Sequence, residues 1–332
     1  VFFRFFILSH VSKKEKSIAS REFLADLSEV KYSFFCFCLI LSFSAFAQER
    51  IDLFTVSTRW GQPSALDDFN GEAKESGLFV NAKLPVVLSE KTIWFNNLTY
   101  TGSTVKNEFD SPELTAPDLD LHAFILQTGL VQKLDNDRAI QLLFVPRFMS
   151  DLKQPGSGAW QFGAIGLYEK RYNPKLRLRY GFLFNQELAG PLLVPLVDVL
   201  WQFKAKWSLS GLFPIYGKLN YQANEKLTVG ISHFGLITSF DLGEENSGTY
   251  MERTSIDLSL FARYNLFGNV FAEGRLGYAL DRNYEQYPED ENIDLRISIF
   301  RIGDNRGDPL NATFADGLIA SLRVVYSLPL PE

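Results

Sequence analysis

In the stretch KLRLRYGFLF, residues 175–184, apolar and polar positions alternate. Leu176, Leu178, Tyr180, Phe182 and Phe184 fall on one face, and Arg177, Arg179, Gly181 and Leu183, followed by Asn185, on the other. Successive side chains of a strand point to opposite faces, so this order predicts a strand with one apolar face and one that carries two arginines. A helix would group Leu176, Arg179 and Tyr180 and gain nothing from the order. The same period recurs over Ile140–Phe148, Trp160–Tyr168, Ile256–Tyr264, Val270–Leu280 and Leu318–Leu328. The predicted strands run to about 11–15 residues, against about 5–6 in soluble domains and about 9–11 for a strand that crosses a bilayer. Pro146 interrupts one of them. It has no N–H for the ladder, which predicts a bulge or a strand end there.

The connections alternate in length. Short ones are expected at Ser89-Glu90-Lys91, Asp135-Asn136-Asp137, Tyr172-Asn173-Pro174, Lys204-Ala205-Lys206, Ala223-Asn224-Glu225 and Leu266-Phe267-Gly268. Long ones are expected near 61–76, 104–118, 150–158, 187–194, 242–251 and 282–316, and two are acidic: Glu108, Asp110, Glu113 and Asp118 in one, Glu285, Glu289, Asp290 and Glu291 in another. Short turns at one end and long loops at the other fit an all-β, antiparallel transmembrane β-barrel of about 12–14 strands. Trp201 and Trp207 bracket one short turn, as an interfacial aromatic girdle does. The number of strands turns on two places. Residues 212–222 read either as one strand's end or as a narrow loop and a short strand. Residues 292–303 alternate but spoil an even count, and are placed in a hairpin extension of the last long loop.

The amino-terminal part reads differently. Residues 31–47, KYSFFCFCLILSFSAFA, combine a basic start, a short apolar run and the small pair Ala45 and Ala47, the layout of a secretory signal peptide. Residues 1–30 read as a probable upstream-start extension, which leaves 48–332 as the barrel domain. Six of the 33 Lys and Arg and four of the 39 Asp and Glu precede Gln48, so the remainder is more acidic than the whole chain at −6. That balance argues against nucleic acid as a partner. Both cysteines, Cys36 and Cys38, lie within the signal, so disulfide, thiol and cysteine–metal chemistry are not expected of the exported part. Apolar residues make up 46% of the chain, yet after the signal they are spread in alternation and form no run long enough for a transmembrane helix.

Candidate chemistry is sparse. His233 shares strand parity with Leu227, Val229 and Ile231, an outer-face set, and Ser239 lies on that face about 20 Å away at 3.3 Å per residue, too far for a nucleophile and its base. His122 follows Asp118 and Asp120 without the spacing of a calcium loop. Gly156–Gly163 lacks the strand-then-helix context of a nucleotide loop. Arg306-Gly307-Asp308 spells an adhesion tripeptide within a turn composition that already accounts for it. No catalytic, cofactor-binding or metal-ligating residue is therefore assigned, and no cofactor. The inward faces say more. Arg147, Arg177, Arg179, Asp198, Asp257, Arg263, Glu273, Arg275 and Arg323 would point to the lumen, where charges must pair or meet water. Paired across the lumen, they make a closed plug; lining water, they form a charged pore.

With its export signal, alternating strands, loop asymmetry and closing GLIASLRVVYSLPLPE, the chain resembles uncharacterised Gram-negative outer-membrane β-barrels known only as domains of unknown function. Many such barrels end on an aromatic residue, whereas here Tyr326 is followed by six further residues, 327–332. The resemblance implies a place in the cell outer membrane, with outer-membrane lipid and the barrel-assembly and export machinery as partners. The reading is a non-enzymatic passive channel or envelope structural protein. The alternatives are a barrel-bound enzyme acting on lipid or lipopolysaccharide, and a secreted soluble β-protein.

Overall fold

The computed structural model describes residues 50–66, 70–109, 118–243, 246, 248–311 and 316–329. The readings placed on residues 1–49, and on Asp110 and Glu113, lie outside these. Eighteen strands form one sheet. They are β1 (Arg50–Gly61), β2 (Ser64–Ala65), β3 (Gly71–Lys83), β4 (Val86–Val87), β5 (Thr92–Phe109), β6 (Leu119–Lys133), β7 (Arg138–Ser150), β8 (Trp160–Asn173), β9 (Leu176–Glu187), β10 (Gly190–Lys204), β11 (Trp207–Phe213), β12 (Tyr216–Gln222), β13 (Leu227–Asp241), β14 (Thr249–Phe267), β15 (Val270–Pro288), β16 (Ile293–Ile297), β17 (Phe300–Asp304) and β18 (Gly317–Pro329).

The wall is an antiparallel ring. From β1 it passes through β3, then β5 to β15 in order, to β18, and β18 pairs back onto β1 with Arg50 opposite Pro329 and Gly61 opposite Ile319. The closed barrel has 14 strands. Residues 292–303 do form a hairpin within the last long connection, as β16 and β17.

Alternation sets the faces. Leu142, Phe162, Phe182, Leu260, Leu276 and Leu322 are exposed on the outside. Trp94, Trp201 and Trp207 lie exposed toward the end with the short turns and both described termini, and Trp60 and Trp160 toward the other, so aromatics mark both rims. These are called the turn end and the loop end below. At Pro146 the strand neither bulges nor stops. The β6–β7 ladder lapses between Ile125–Arg147 and Thr128–Phe144 and resumes in the same register, while the β8 side continues through Pro146–Phe162.

Of two connections at the loop end, one corrects the sequence reading and one decides between its alternatives. The expected long loop at 187–194 is a two-residue turn, Leu188–Ala189, closed by the Glu187–Gly190 pair. Gly190 takes φ +118°, a conformation that glycine adopts without strain. The Gly190-Pro191 step follows this turn. Residues 212–222 take the second of their two readings, the end of β11, a narrow turn and the short strand β12; β11 and β12 have seven residues each, while the other wall strands have 12 to 19.

The wall is therefore low at β11–β12. Phe213, the last residue of β11, pairs with Val197, so the loop-end half of β10 lacks a wall neighbour on that side. Leu193 shows which groups face the gap, because its carbonyl accepts a bond from the Ser298 N–H there. Alternate residues of a strand point their backbone groups to the same side, so Pro191 and Pro195 face the gap too, and neither has an N–H to leave unpaired.

Across the gap β13 leaves the wall. By alternation Ser239 and Asp241 belong to the outer face with Ile231 and His233, yet both are buried. Ser239 donates N–H and hydroxyl bonds of 2.9 Å each to Glu187 of β9, and its carbonyl accepts from Gln161 of β8 at 3.0 Å. Asp241 bridges in parallel to Ser150 of β7. At the loop end the outer face of β13 thus packs against the inner faces of β7, β8 and β9.

The assigned faces make a test. Leu178→Arg places a charge on the apolar outside, which costs about 2–4 kcal/mol at a bilayer midplane. Arg177→Leu removes an inward charge that lies 3.7 Å from Glu169. Heat-modifiable gel mobility and folded yield in detergent micelles are expected to fall much further for Leu178→Arg. The reverse order would invert the facing of β9.

Candidate functional site

The lumen is the candidate site, and three layers line its β7–β10 side. At the turn end the inward residues are polar: Gln141, Glu169, Arg177, Arg179 and Asp198. The middle layer is aliphatic, with Leu143, Val145, Ile165, Leu167, Leu183 and Val194 packed as one cluster that Ile215 joins from the β11–β12 turn. The third layer, toward the loops, is polar again with Arg147, Gln161 and Glu187. Strand parity fixes the face of each residue, and position along the strand fixes its layer.

The two polar layers differ in their contact with water. At the turn end the inward cations are 17–26% exposed as side chains: Arg179 at 26%, Lys218 at 19% and Arg323 at 17%. Glu273 gathers Lys218 and Arg275 at 2.7 Å, Arg323 at 3.2 Å and Arg263 at 3.9 Å. Ladder register accounts for part of this, since Glu273 sits directly between Arg263 and Arg323 on neighbouring strands. Arg263 also holds Asp52 at 2.8 Å, and Arg179 holds Asp198 at 2.5 Å. Lys83 points inward from β3. Among the described residues of this layer, cations outnumber the carboxylates Asp52, Glu169, Asp198 and Glu273, in a chain whose net charge is −6.

The loop-end layer is drier, apart from Arg59 and Asp257, whose side chains are 18% and 15% exposed. Glu75 accepts from Arg253 at 3.0 Å and from the Tyr284 hydroxyl at 2.7 Å, with Arg282 at 3.6 Å and Arg59 also paired. Arg59 reaches on to Asp257 at 3.0 Å. These bonds join β1 and β3 to β14 and β15 past the intervening β18. Arg147 pairs with Glu187 at 2.9 Å and donates to Gln161 at 2.8 Å. The side chains of Glu75, Arg282, Arg147 and Glu187 are at most 4% exposed. Above them Ala73, Val105, Leu121, Met149, Phe240 and Met251 form an apolar core that fills the loop end.

All nine charges predicted to face the lumen do so, and all nine are ion-paired. Missed were Asp52, Arg59, Glu75, Lys83, Glu169, Glu187, Lys218, Arg253 and Arg282. Glu75 and Arg282 lay in predicted long loops, although the alternation of Ala73, Glu75 and Gly77 with Lys74 and Ser76 continues through β3 and held the signal.

Neither His122 nor His233 faces the lumen. His122 lies on the outer face of β6, where its Nδ1 is 3.0 Å from the Tyr100 hydroxyl. The Nε2 of His233 is 2.9 Å from the Pro214 carbonyl oxygen, outside, while Ser239 is buried on Glu187. The adhesion tripeptide is not displayed. Arg306 is buried against Glu252 and Asp304 and lies over the Tyr287 ring. The bonded Arg306 guanidinium holds the Asp304 carboxyl below its usual range, against the opposing effect of burial. A crevice of about 380 Å³ opens at the loop end beside Gly156, Leu188, Asp241, Tyr250 and Glu289. Among the described residues no three His, Cys, Asp or Glu side chains group to hold a metal ion.

No known protein-family pattern matches the chain, and no curated protein matches it either. Solved structures resemble it at low identity. An outer membrane channel from Pseudomonas putida F1 aligns over 86% of this chain and 98% of its own, at 9% identity and a TM-score of 0.42. The TodX monoaromatic hydrocarbon channel, as a deletion mutant, aligns over 86% and 92% at 9% identity and 0.36. The NanC porin aligns over 82% and 100% at 10% identity and 0.31. The barrel fold of this chain stands on its own closed ladder.

Proposed function

We propose that the chain is an outer-membrane channel for small anions, shut at its loop end in the state described. One observation carries this reading: the inward cations of the turn-end half are partly exposed, while the loop-end pairs around Glu75 and Glu187, apart from Arg59, are buried. A vestibule that admits water and carries surplus positive charge concentrates anions. The aliphatic layer and the Glu75 cluster above it block the path. Opening requires the loop-end layer to part. The apolar outside, the two aromatic rims and the expected export signal support the outer membrane as its location. His122 and His233 are both engaged on the outside, so neither is placed for acid–base chemistry in the lumen.

A closed structural barrel is the second reading, favoured by the packing of the loop end. Planar-bilayer recording separates the two. The native protein is expected to conduct rarely. Glu75→Gln leaves buried arginines without their carboxylate, a loss of about 3–5 kcal/mol for a broken buried pair. It is expected to open far more often while the barrel persists by gel mobility. If Glu75→Gln folds and stays silent, the structural reading stands and the channel reading fails.

Selectivity gives an independent test. Under a potassium chloride gradient the reversal potential is expected to report anion preference. The double variant Lys83→Glu, Arg323→Glu is expected to shift it toward cations, and Glu273→Gln further toward anions. Equal selectivity in all three proteins would remove the vestibule from the account.

A further inference from the structure

We infer that the β16–β17 hairpin is a lipid-contacting wedge, with its tip seated among outer-leaflet acyl chains where it seals the gap in the wall above β11–β12. The inference rests on the outer-membrane reading of the barrel. Direction is the first argument. β16 pairs in parallel with β10, Leu192 opposite Arg296 and Leu193 opposite Ile297. β10 runs from the loop end toward the turn end, so β16 descends beside it. A hairpin in a surface loop would rise away from the wall; this one points down into the gap.

The seat is bonded on the side where β10 has no wall partner. Ile293 N–H donates to the Ala189 carbonyl at 2.8 Å, and Ser298 N–H to the Leu193 carbonyl at 2.9 Å. Leu193 pairs on its other side with Phe184, an exposed residue of the apolar outer face. The hairpin tip is therefore level with the loop-end edge of the apolar band and continues it sideways.

Composition follows the same direction. Ile299 and Phe300, at and just after the tip, are 65% and 70% exposed, and Ile302 is half exposed. Arg296 and Arg301 stand opposite each other one pair back from the tip and reach toward Glu252, and at the base Asp304 pairs with Arg306. Glu252, which alternation places on the outer face of β14, pairs with Arg296 at 2.9 Å, Arg306 at 3.4 Å and Arg301 at 3.8 Å. An apolar tip below a charged, anchored base is the polarity of an element that enters a membrane boundary from the aqueous side.

Spin labels test this on the full chain, reconstituted in phosphatidylcholine vesicles, with Cys36 and Cys38 replaced by alanine. Labels are placed by Phe300→Cys, by Ile302→Cys as a second tip position, by Leu260→Cys on the outer wall and by Asp308→Cys in the exposed loop. Collision with oxygen and with a water-soluble nickel chelate is measured at each. The expected result is that 300 and 302 behave like 260, with nickel accessibility several-fold below that at 308. If 260 is lipid-embedded while 300 and 302 match 308, the wedge is overturned and the barrel reading stands. If 260 is itself open to nickel, the membrane reading fails and takes the wedge with it. Label–label broadening at 300 that fades on dilution would assign the tip to a second copy of the chain and overturn the lipid contact.

Discussion

The structure depends on the need of every backbone N–H and C=O on a hydrocarbon-facing wall to find a partner within the protein. An open sheet would leave two bare edges. Closure of β18 on β1 removes both and fixes the barrel. The need is sharpest where the wall drops at β11–β12. There β16 brings N–H groups to two exposed carbonyls, and Pro191 and Pro195 take away two donors that would otherwise need acceptors. β13, which faces the same gap from the other side, turns inward and passes its edge groups to Glu187 and Gln161.

Charge inside the ring obeys a second rule. A buried ion pair repays its desolvation only when its geometry is good and its partners are complete. At the loop end the arginines converge on Glu75, Glu187 and Glu252, and the space is filled. At the turn end water shares the work, and more cations than carboxylates can stand together. The aliphatic layer on β7–β10 separates the two regimes. Dry pairs hold one conformation firmly, while wet charges can exchange partners with a passing ion.

The outer faces were legible because alternation is a direct consequence of strand geometry. Leu176 to Phe184 could be assigned without any knowledge of their neighbours, and the nine inward charges followed. Positions where the chain departs from a uniform wall were not legible. Ser239 has the parity of Ile231, yet it is buried because β13 has left the wall by then, and parity carries no information about that. The short β11–β12 hairpin and the turn at Leu188–Ala189 were obscured by Pro214 and the Gly190-Pro191 step, whose composition suits a loop and a tight turn equally. Glu75 was passed over because a carboxylate near a strand end looks like a loop residue until its three arginines, distant in sequence, are placed around it.

The two prolines on β10 also matter before the barrel exists. Before it closes, a barrel chain is unfolded, and bare strand edges are templates for stacking one chain on another. An edge that lacks two of its N–H groups is a poor template. The segment that ends up beside the lowest part of the wall is thus also a poor seed for aggregation before closure.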